Sequence, residues 1–477
     1  MALGALPDTH ILSPIDHTFP EVNTCYYLYF QRIRHGDVQL TLQRGVERLV
    51  RRYPFLAGEI VDSKGSKAAR YSGLRHVQES VSAANGCSFI EFRQDFSLSV
   101  KAITEATTRS GPEDLLLARK LSPLPLLPEA SQRKCLVRFR ATTVSDGLVL
   151  AMGFSHSFFD ANGAAHLLER LAECCGDDSP EPWNDPDDQS LRRTVWGLGD
   201  GIVSSRKHAE HFGPLPALAK PPGGQVSLLE ALTVNTMVCR WKVSAAKVEM
   251  LKRACIRLLS YQGNDARIPY LSSLDVLTSC LSTCLQRSKG IAGPSKAGIS
   301  INLRGRLNPT WPSGYLGNLA TYATVPSGSA PTQQELRAAK QITYGLPRLS
   351  SLTPDLAQVY RNACSLRETI SSFDDQFIRG LVSWLVSQPD LTKVNIQPYV
   401  VNFTSWRHLN LYDLEFGPSL RRPCHVLTHG MPPTLCLVMP EKKVAGDGRN
   451  DWDIVSYLDM DDYLRLNEDD LIRFLLE

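Results

Sequence analysis

Apolar positions along this chain change rhythm most sharply between residues 136 and 174. Two apolar runs, 136–143 and 148–154, flank Ser145-Asp146-Gly147, and this pattern predicts a hairpin of two buried strands. Beyond the second run, Leu167, Leu168 and Leu171 recur at helical spacing, with the helix ending near Cys174. Strand therefore gives way to helix across a short loop holding His156 and Asp160, with Gly163 at the tight turn into the helix.

The same reading applied elsewhere predicts an aromatic strand at 25–30 and a helix through Leu42, Val46, Leu49, Val50 and Tyr53 that Pro54 stops. A further strand is expected at 55–61, whereas 63–128 is weakly patterned and supports only short strands. Pro- and Gly-rich stretches at 177–188 and 212–224 mark a crossover. The second half predicts a strand at 236–243 and a helix opened by Ser244 with Val248, Leu251 and Ala254 inward. Another helix follows, in which Ser272 and Asp275 stand at capping-box spacing. A strand at 298–304, a turn at 314–318 and a long helical region at 354–387 come next. The chain closes with a strand and loop at 399–406, strands at 434–439 and 452–458, and short helices carrying Leu464, Leu471, Phe474 and Leu475.

Strands and helices thus alternate in both halves, the signature of an α/β protein with two layered lobes, each a mixed sheet backed by helices. The expected division is 1–176 for the first lobe, 177–230 for the crossover and 231–477 for the second. A length of 477 residues fits two cores better than one.

Composition narrows the function classes. Hydrophobic residues at 43% and charged residues at 21% are ordinary for a soluble globular protein, and a net charge of +3 gives no argument for a nucleic-acid partner. The 12 cysteines show neither paired Cys-x-x-Cys units nor zinc spacing, so no metal is expected. The first residues lack the basic and apolar regions of a secretory leader, and no apolar run is long enough to span a bilayer. A reduced, cytoplasmic protein is the expectation.

His156-x-x-x-Asp160 is the candidate chemistry, and its spacing alone proves nothing. With 49 acidic residues in 477, 11 histidines yield about one His-x-x-x-Asp/Glu by chance. His17-x-x-x-Glu21 is a second match and reads as that accident. His156 differs in context, because a loop between a strand and a helix can hold a side chain rigidly at a cleft. His166, His425 and His429 read as structural.

Several ordered motifs resemble those of the BAHD-type acyl-CoA-dependent acyltransferases, in the fungal branch of trichothecene 3-O-acetyltransferase. They are Leu12-Ser13-Pro14-Ile15-Asp16, Tyr53-Pro54-Phe55-Leu56-Ala57-Gly58, His156-Ser157-Phe158-Phe159-Asp160, Asn302-Leu303-Arg304-Gly305-Arg306, Tyr315-Leu316-Gly317-Asn318, Thr404-Ser405-Trp406 and Asp413-Leu414-Glu415-Phe416-Gly417. Jointly they span most of the chain. The resemblance implies two lobes of chloramphenicol-acetyltransferase type with a channel between them. It also implies acyl-CoA as co-substrate, with no tightly bound cofactor, and a small-molecule alcohol as acceptor. His156 is then the general base, and Asp160 a brace paired with Arg304 rather than a triad acid. Thr404 and Trp406 stand near the tetrahedral intermediate, with a core role the alternative for Trp406. Arg306, Tyr315, Gly317 and Asn318 are candidates for lining the CoA side, with packing the alternative for each.

The chain departs from the plant Asp-Phe-Gly-Trp-Gly motif at Glu415-Phe416-Gly417-Pro418-Ser419, and Ser282 stands where a tryptophan is common. Glu415 is expected in an ion pair. The expected function is O-acylation, most simply acetylation, of a specialised metabolite by a monomer. One rival is a condensation-type amide-forming enzyme, against which Ser155 stands in place of that group's first histidine. The other is a non-catalytic binding or scaffold protein.

Overall fold

The computed structural model describes residues 10–31, 38–62, 71–78, 89–106, 113–128, 134–176, 185–213, 236–261, 268–344, 346–397, 399–429, 431, 435–443 and 450–476. Two mixed sheets dominate. The first has five strands in the order His425–Leu427, Asn23–Gln31, Gly147–Ser155, Val137–Val144 and Ile90–Gln94, antiparallel except for the last pair. Strand alternation sorts its side chains to two faces. Tyr26, Leu28 and Phe30 join the core beneath the helices Val38–Arg52 and Ala161–Cys175, while Cys25, Tyr27 and Tyr29 pack with Val100, Ile103 and Leu121 of Val100–Ala106 and Glu113–Leu121.

The second sheet has six strands in the order Ala320–Ser327, Ser295–Asn302, Asn402–Ser405, Leu435–Val438, Trp452–Asp459 and Thr236–Val243. The middle pairings are parallel and the outer ones antiparallel. Helices Ala245–Tyr261, Ser273–Ser288, Gln333–Thr343 and Thr353–Ser371 bury their apolar faces in its core. The expected α/β architecture of mixed sheets backed by helices is what the chain forms. The halves also interleave, because His425–Leu427 pairs with Asn23–Gln31 at the edge of the first sheet.

Ser272 accepts from the Asp275 amide at 3.1 Å while Asp275 accepts from the Ser272 amide at 2.6 Å, a reciprocal cap with the shorter acid in the usual glutamate place. Other expectations fail for local reasons. The strand predicted at 55–61 is a 3₁₀ turn over Pro54–Ala57 followed by the strand Glu59–Asp62, since proline at the start of the turn sets a helical φ. The long helix predicted at 354–387 is two helices, Thr353–Ser371 and Asp375–Ser387. Asp374 starts the second by accepting from the Phe377 amide at 2.8 Å. Within 177–230 a helix, Asp188–Gly197, forms where composition suggested only a tether. The Pro- and Gly-rich stretches 177–184 and 214–224 lie outside the described residues. Among the described residues no helix is long and apolar enough to cross a membrane, and no cluster of His, Cys, Asp and Glu is placed to hold a metal ion.

Candidate active site

His156 follows the last residue of the strand Gly147–Ser155, and its main chain is tied at both ends. Its amide donates to the Val22 carbonyl at 2.8 Å and its carbonyl accepts from Asn318 Nδ2 at 3.2 Å. The imidazole is half-buried and lies flat against Phe19, with ring centroids 4.9 Å apart and planes 18° from parallel. Nδ1 is buried and has no hydrogen-bond partner, so Nε2 is the nitrogen at the accessible edge. Burial pushes the imidazole below the usual histidine range, against the opposing pull of nearby backbone carbonyls and the Asp160 charge. The ring is thereby kept neutral at neutral pH.

Asp160 caps the helix Ala161–Cys175, accepting from the Gly163 amide at 2.8 Å. Its carboxylate also accepts from Arg304 Nη1 at 2.7 Å, Arg304 Nη2 at 3.0 Å and the Leu319 amide at 2.9 Å. Four donors occupy its two oxygens, which leaves no lone pair directed at His156. Arg304 Nη2 also donates to the Gly317 carbonyl at 2.8 Å and the Tyr315 carbonyl at 3.3 Å. The loop and the turn at 315–319 touch closely enough that a Cβ on Gly163 would lie 2.0 Å from the Leu316 carbonyl oxygen.

A second buried ion cluster, invisible to the sequence reading, lies on the other side of that turn. Asp16 accepts from the Asn318 amide at 2.9 Å, from Asn318 Nδ2 at 2.8 Å, from the Ser13 amide at 2.6 Å and from Arg192 Nη1. Arg192, fully buried, reaches Asp188 through Nε at 2.6 Å, and Asp188 accepts from the Leu316 amide at 3.2 Å. The Arg192 guanidinium lies over the Phe158 ring at 3.7 Å. Burial works against these charges, yet Arg192 holds the Asp188 carboxyl well below the usual carboxylate range. Asp16 sits inside a motif quoted from the sequence, but no signal marked Arg192 as its partner.

The candidate residues therefore fall into two groups. His156, Asp160, Gly163, Arg304, Tyr315, Gly317 and Asn318 form one connected unit. In it Tyr315 and Asn318 are fully buried, and a Cβ on Gly317 would meet the Tyr315 hydroxyl at 2.3 Å. These side chains are packed inside the unit. Arg306, Thr404, Trp406 and Glu415 stand apart, with no side-chain hydrogen bond to the unit among the described residues. Arg306 donates to the carbonyls of Ile370 at 2.8 Å and Phe373 at 3.2 Å, at the C-terminus of the helix Thr353–Ser371. Thr404 is half-buried on the strand Asn402–Ser405. Trp406 is buried edge-on against Tyr26, centroids 4.9 Å apart. Glu415 pairs with Arg422 at 3.4 Å on the surface.

His17, the other half of the chance match, is a satisfied core histidine. Its Nδ1 donates to the Ser13 carbonyl at 2.7 Å and its Nε2 accepts from the Arg75 amide at 2.9 Å.

Comparison with known proteins shows what the chain is similar to. The Transferase family model matches residues 7–469. The chain is 45% identical over 471 residues to the O-acetyltransferase andG of Emericella variicolor, covering 98% of this chain and 97% of that protein. It is 28% identical over 484 residues to the fumigaclavine B O-acetyltransferase ifgI of Penicillium roqueforti, covering 98% and 97%. Its fold matches the crystal structure of F. sporotrichioides TRI101 with coenzyme A and T-2 at a TM-score of 0.73, with 17% identity and 97% of each chain covered.

Proposed function

The chain belongs to the Transferase family, the BAHD-type acyl-CoA-dependent O-acyltransferases, and on that premise we propose that it moves an acetyl group from acetyl-CoA to a hydroxyl of a fungal specialised metabolite, with His156 as general base. One observation carries the assignment. His156 is the half-buried histidine whose loop is braced on both sides, while its neighbouring acid is fully engaged elsewhere.

With hydrogen on the buried Nδ1, Nε2 takes the acceptor's hydroxyl proton as its oxygen attacks the thioester carbonyl carbon. The tetrahedral oxyanion collapses, the carbon–sulfur bond breaks, and the imidazolium returns the proton to the departing thiolate. Proton and electron pairs balance without a covalent acyl-enzyme. Thr404 is the preferred hydroxyl donor to the oxyanion, and Trp406 is assigned to packing from its burial against Tyr26. Asp160 and Arg304 hold the loop. Arg306, Tyr315, Gly317 and Asn318 are assigned to the scaffold. We read 1–176 and 231–477 as the two lobes, joined by 177–230, in a cytoplasmic monomer.

The test incubates purified protein with acetyl-CoA and a panel of hydroxylated metabolites, following thiol release and product mass. Wild type is expected to release CoA with a 42-dalton gain on the acceptor, the mass of an acetyl group replacing hydrogen, at about 10²- to 10⁴-fold the rate of His156→Ala. Equal rates for the two would overturn the assignment.

A further inference from the structure

The buried His17 and His429 have both ring nitrogens engaged by hydrogen bonds, whereas the half-buried His156 makes no well-formed hydrogen bond through Nδ1. His17 has both nitrogens engaged, by the Ser13 carbonyl and the Arg75 amide. His429 meets the Tyr29 hydroxyl through Nε2 at 2.8 Å and Arg240 through Nδ1 at 3.2 Å. At His156 the main chain is fixed by Val22 and Asn318, and the ring has the backbone carbonyls of His156 and Phe159 nearby, but Nδ1 makes no well-aligned hydrogen bond that would fix its plane. Rotation about the last side-chain bond of histidine, an sp³–sp² torsion, has broad wells, so a fixed backbone does not by itself aim the ring.

The only aromatic ring recorded against this imidazole among the described residues is Phe19, stacked at 4.9 Å and 18°. Phe19 is itself immobilised. It is 8% exposed and packs in a core with Ile15 and Trp196. It directly follows the 3₁₀ turn Asp16–Thr18, whose Asp16 carboxylate is held by Asn318 and Arg192. The amide of Phe19 donates to the Asp16 carbonyl at 3.4 Å, and that of Val22 to the Pro20 carbonyl at 2.9 Å. The segment that supplies the ring is thus tied into the same buried cluster that fixes the turn at 315–319.

We propose that Phe19 is a positioning residue, whose flat face fixes the plane of the His156 imidazole and keeps Nε2 turned toward the acceptor. The proposal rests on the reading of His156 as base. In that reading a ring free to swing leaves the base misaimed in most of its orientations, and a misplacement of about 1 Å can cost about 10²-fold in rate. The buried cluster of Asp16, Arg192 and Asp188 then serves the reaction at one remove, by holding the surface against which the base lies.

The experiment compares Phe19→Leu, Phe19→Ala and Phe19→Tyr with wild type and His156→Ala, measuring kcat, KM for acetyl-CoA and thermal midpoint. Leucine keeps apolar volume but removes the flat face, and tyrosine keeps the face. Phe19→Leu and Phe19→Ala are expected to lose at least about tenfold in kcat with KM for acetyl-CoA unchanged, and Phe19→Tyr to stay within about threefold of wild type. Wild-type kcat in Phe19→Leu overturns the proposal, because volume then suffices. A fall in kcat that follows the thermal midpoint and is not rescued by tyrosine overturns it as a general packing effect. If His156→Ala is inactive while every Phe19 variant matches wild type, the base assignment survives and the positioning role does not. Activity in His156→Ala overturns both. Should Phe19→Ala fail to fold, the leucine and tyrosine variants decide the matter.

Discussion

Arg304 grips both carboxylate oxygens of Asp160, Nη1 to Oδ2 at 2.7 Å and Nη2 to Oδ1 at 3.0 Å, across 144 residues of sequence. A buried pair that loses one member leaves the other charged and unpaired, at about 3–5 kcal/mol. Asp160→Asn and Arg304→Met are each expected to lower stability on that scale in chemical denaturation. The double variant should lose clearly less than the sum, because the two changes remove one shared interaction.

Activity should depend on pH through His156. Burial lowers its pKa below the ordinary value of about 6.5, with backbone carbonyls and Asp160 pulling the other way. The neutral, proton-accepting form therefore persists below pH 6.5 and is lost as pH falls through the folded value. The acidic limb of kcat/KM is expected to lie below 6.5, and a limb at or above that value contradicts the environment described for the ring.

Stability should show a second pH dependence through His17. Burial is the main cause that holds its pKa well below the ordinary value, joined by the Arg75 and Arg192 charges, with the Ser13 carbonyl opposing. The unfolded chain takes up the proton first, so the contribution is complete above about pH 6.5 and declines as pH falls below it. Denaturation at pH 7.5 and 5.5 should therefore show a smaller pH difference in His17→Gln than in wild type.

Gly163→Ala tests the seam between the His156 loop and the turn at 315–319. The new Cβ would stand 2.0 Å from the Leu316 carbonyl oxygen, and backbone must move to admit it. A loss of about 1–3 kcal/mol in stability is expected, with a fall in kcat as Asp160 and Arg304 are pushed apart. Wild-type stability and rate in this variant would contradict the close approach.

Glu415→Gln should do almost nothing. Its partner Arg422 lies 3.4 Å away, and the two side chains are 52% and 61% exposed, so the pair is solvated and worth about 0–1 kcal/mol. The neighbouring Phe416 is the buried member of that motif, edge-on to Phe30 at 5.5 Å. It lies toward the far end of the helix Ala161–Cys175, about 20 Å of helix away from the His156 loop at 1.5 Å per residue, since Gly417 abuts the Cys175 carbonyl.

Patterning and structure agree best where a period is unbroken. The strand expected at 236–243 spans Thr236–Val243, and the hairpin through Ser145-Asp146-Gly147 forms as Val137–Val144 and Gly147–Ser155. Periodicity failed where it could not register an interruption, as at Asp374, because the apolar spacing continues from one helix into the next. The site was less legible. His156 stood out by context, and Arg304 came to Asp160 only through family resemblance. Arg192 stands four residues after Asp188, a legible helical spacing, but its pairing with Asp16 across 176 residues leaves no local spacing to detect. Tyr315, Gly317 and Asn318 came forward as CoA-side candidates only through family resemblance, with packing the alternative; in the structure the Asn318 amide group donates to Asp16 and the Gly317 carbonyl accepts from Arg304.

Two buried arginines secure the turn at 315–319, Arg304 by donating to the Gly317 carbonyl and Arg192 at one remove, through Asp16 and Asp188, which accept from Asn318 and Leu316. This sets a mechanical limit on the enzyme. Parting the His156 loop from this turn would strip the Leu319 amide from Asp160, and displacing the turn itself would also take the Asn318 donors from Asp16 and the Leu316 amide from Asp188.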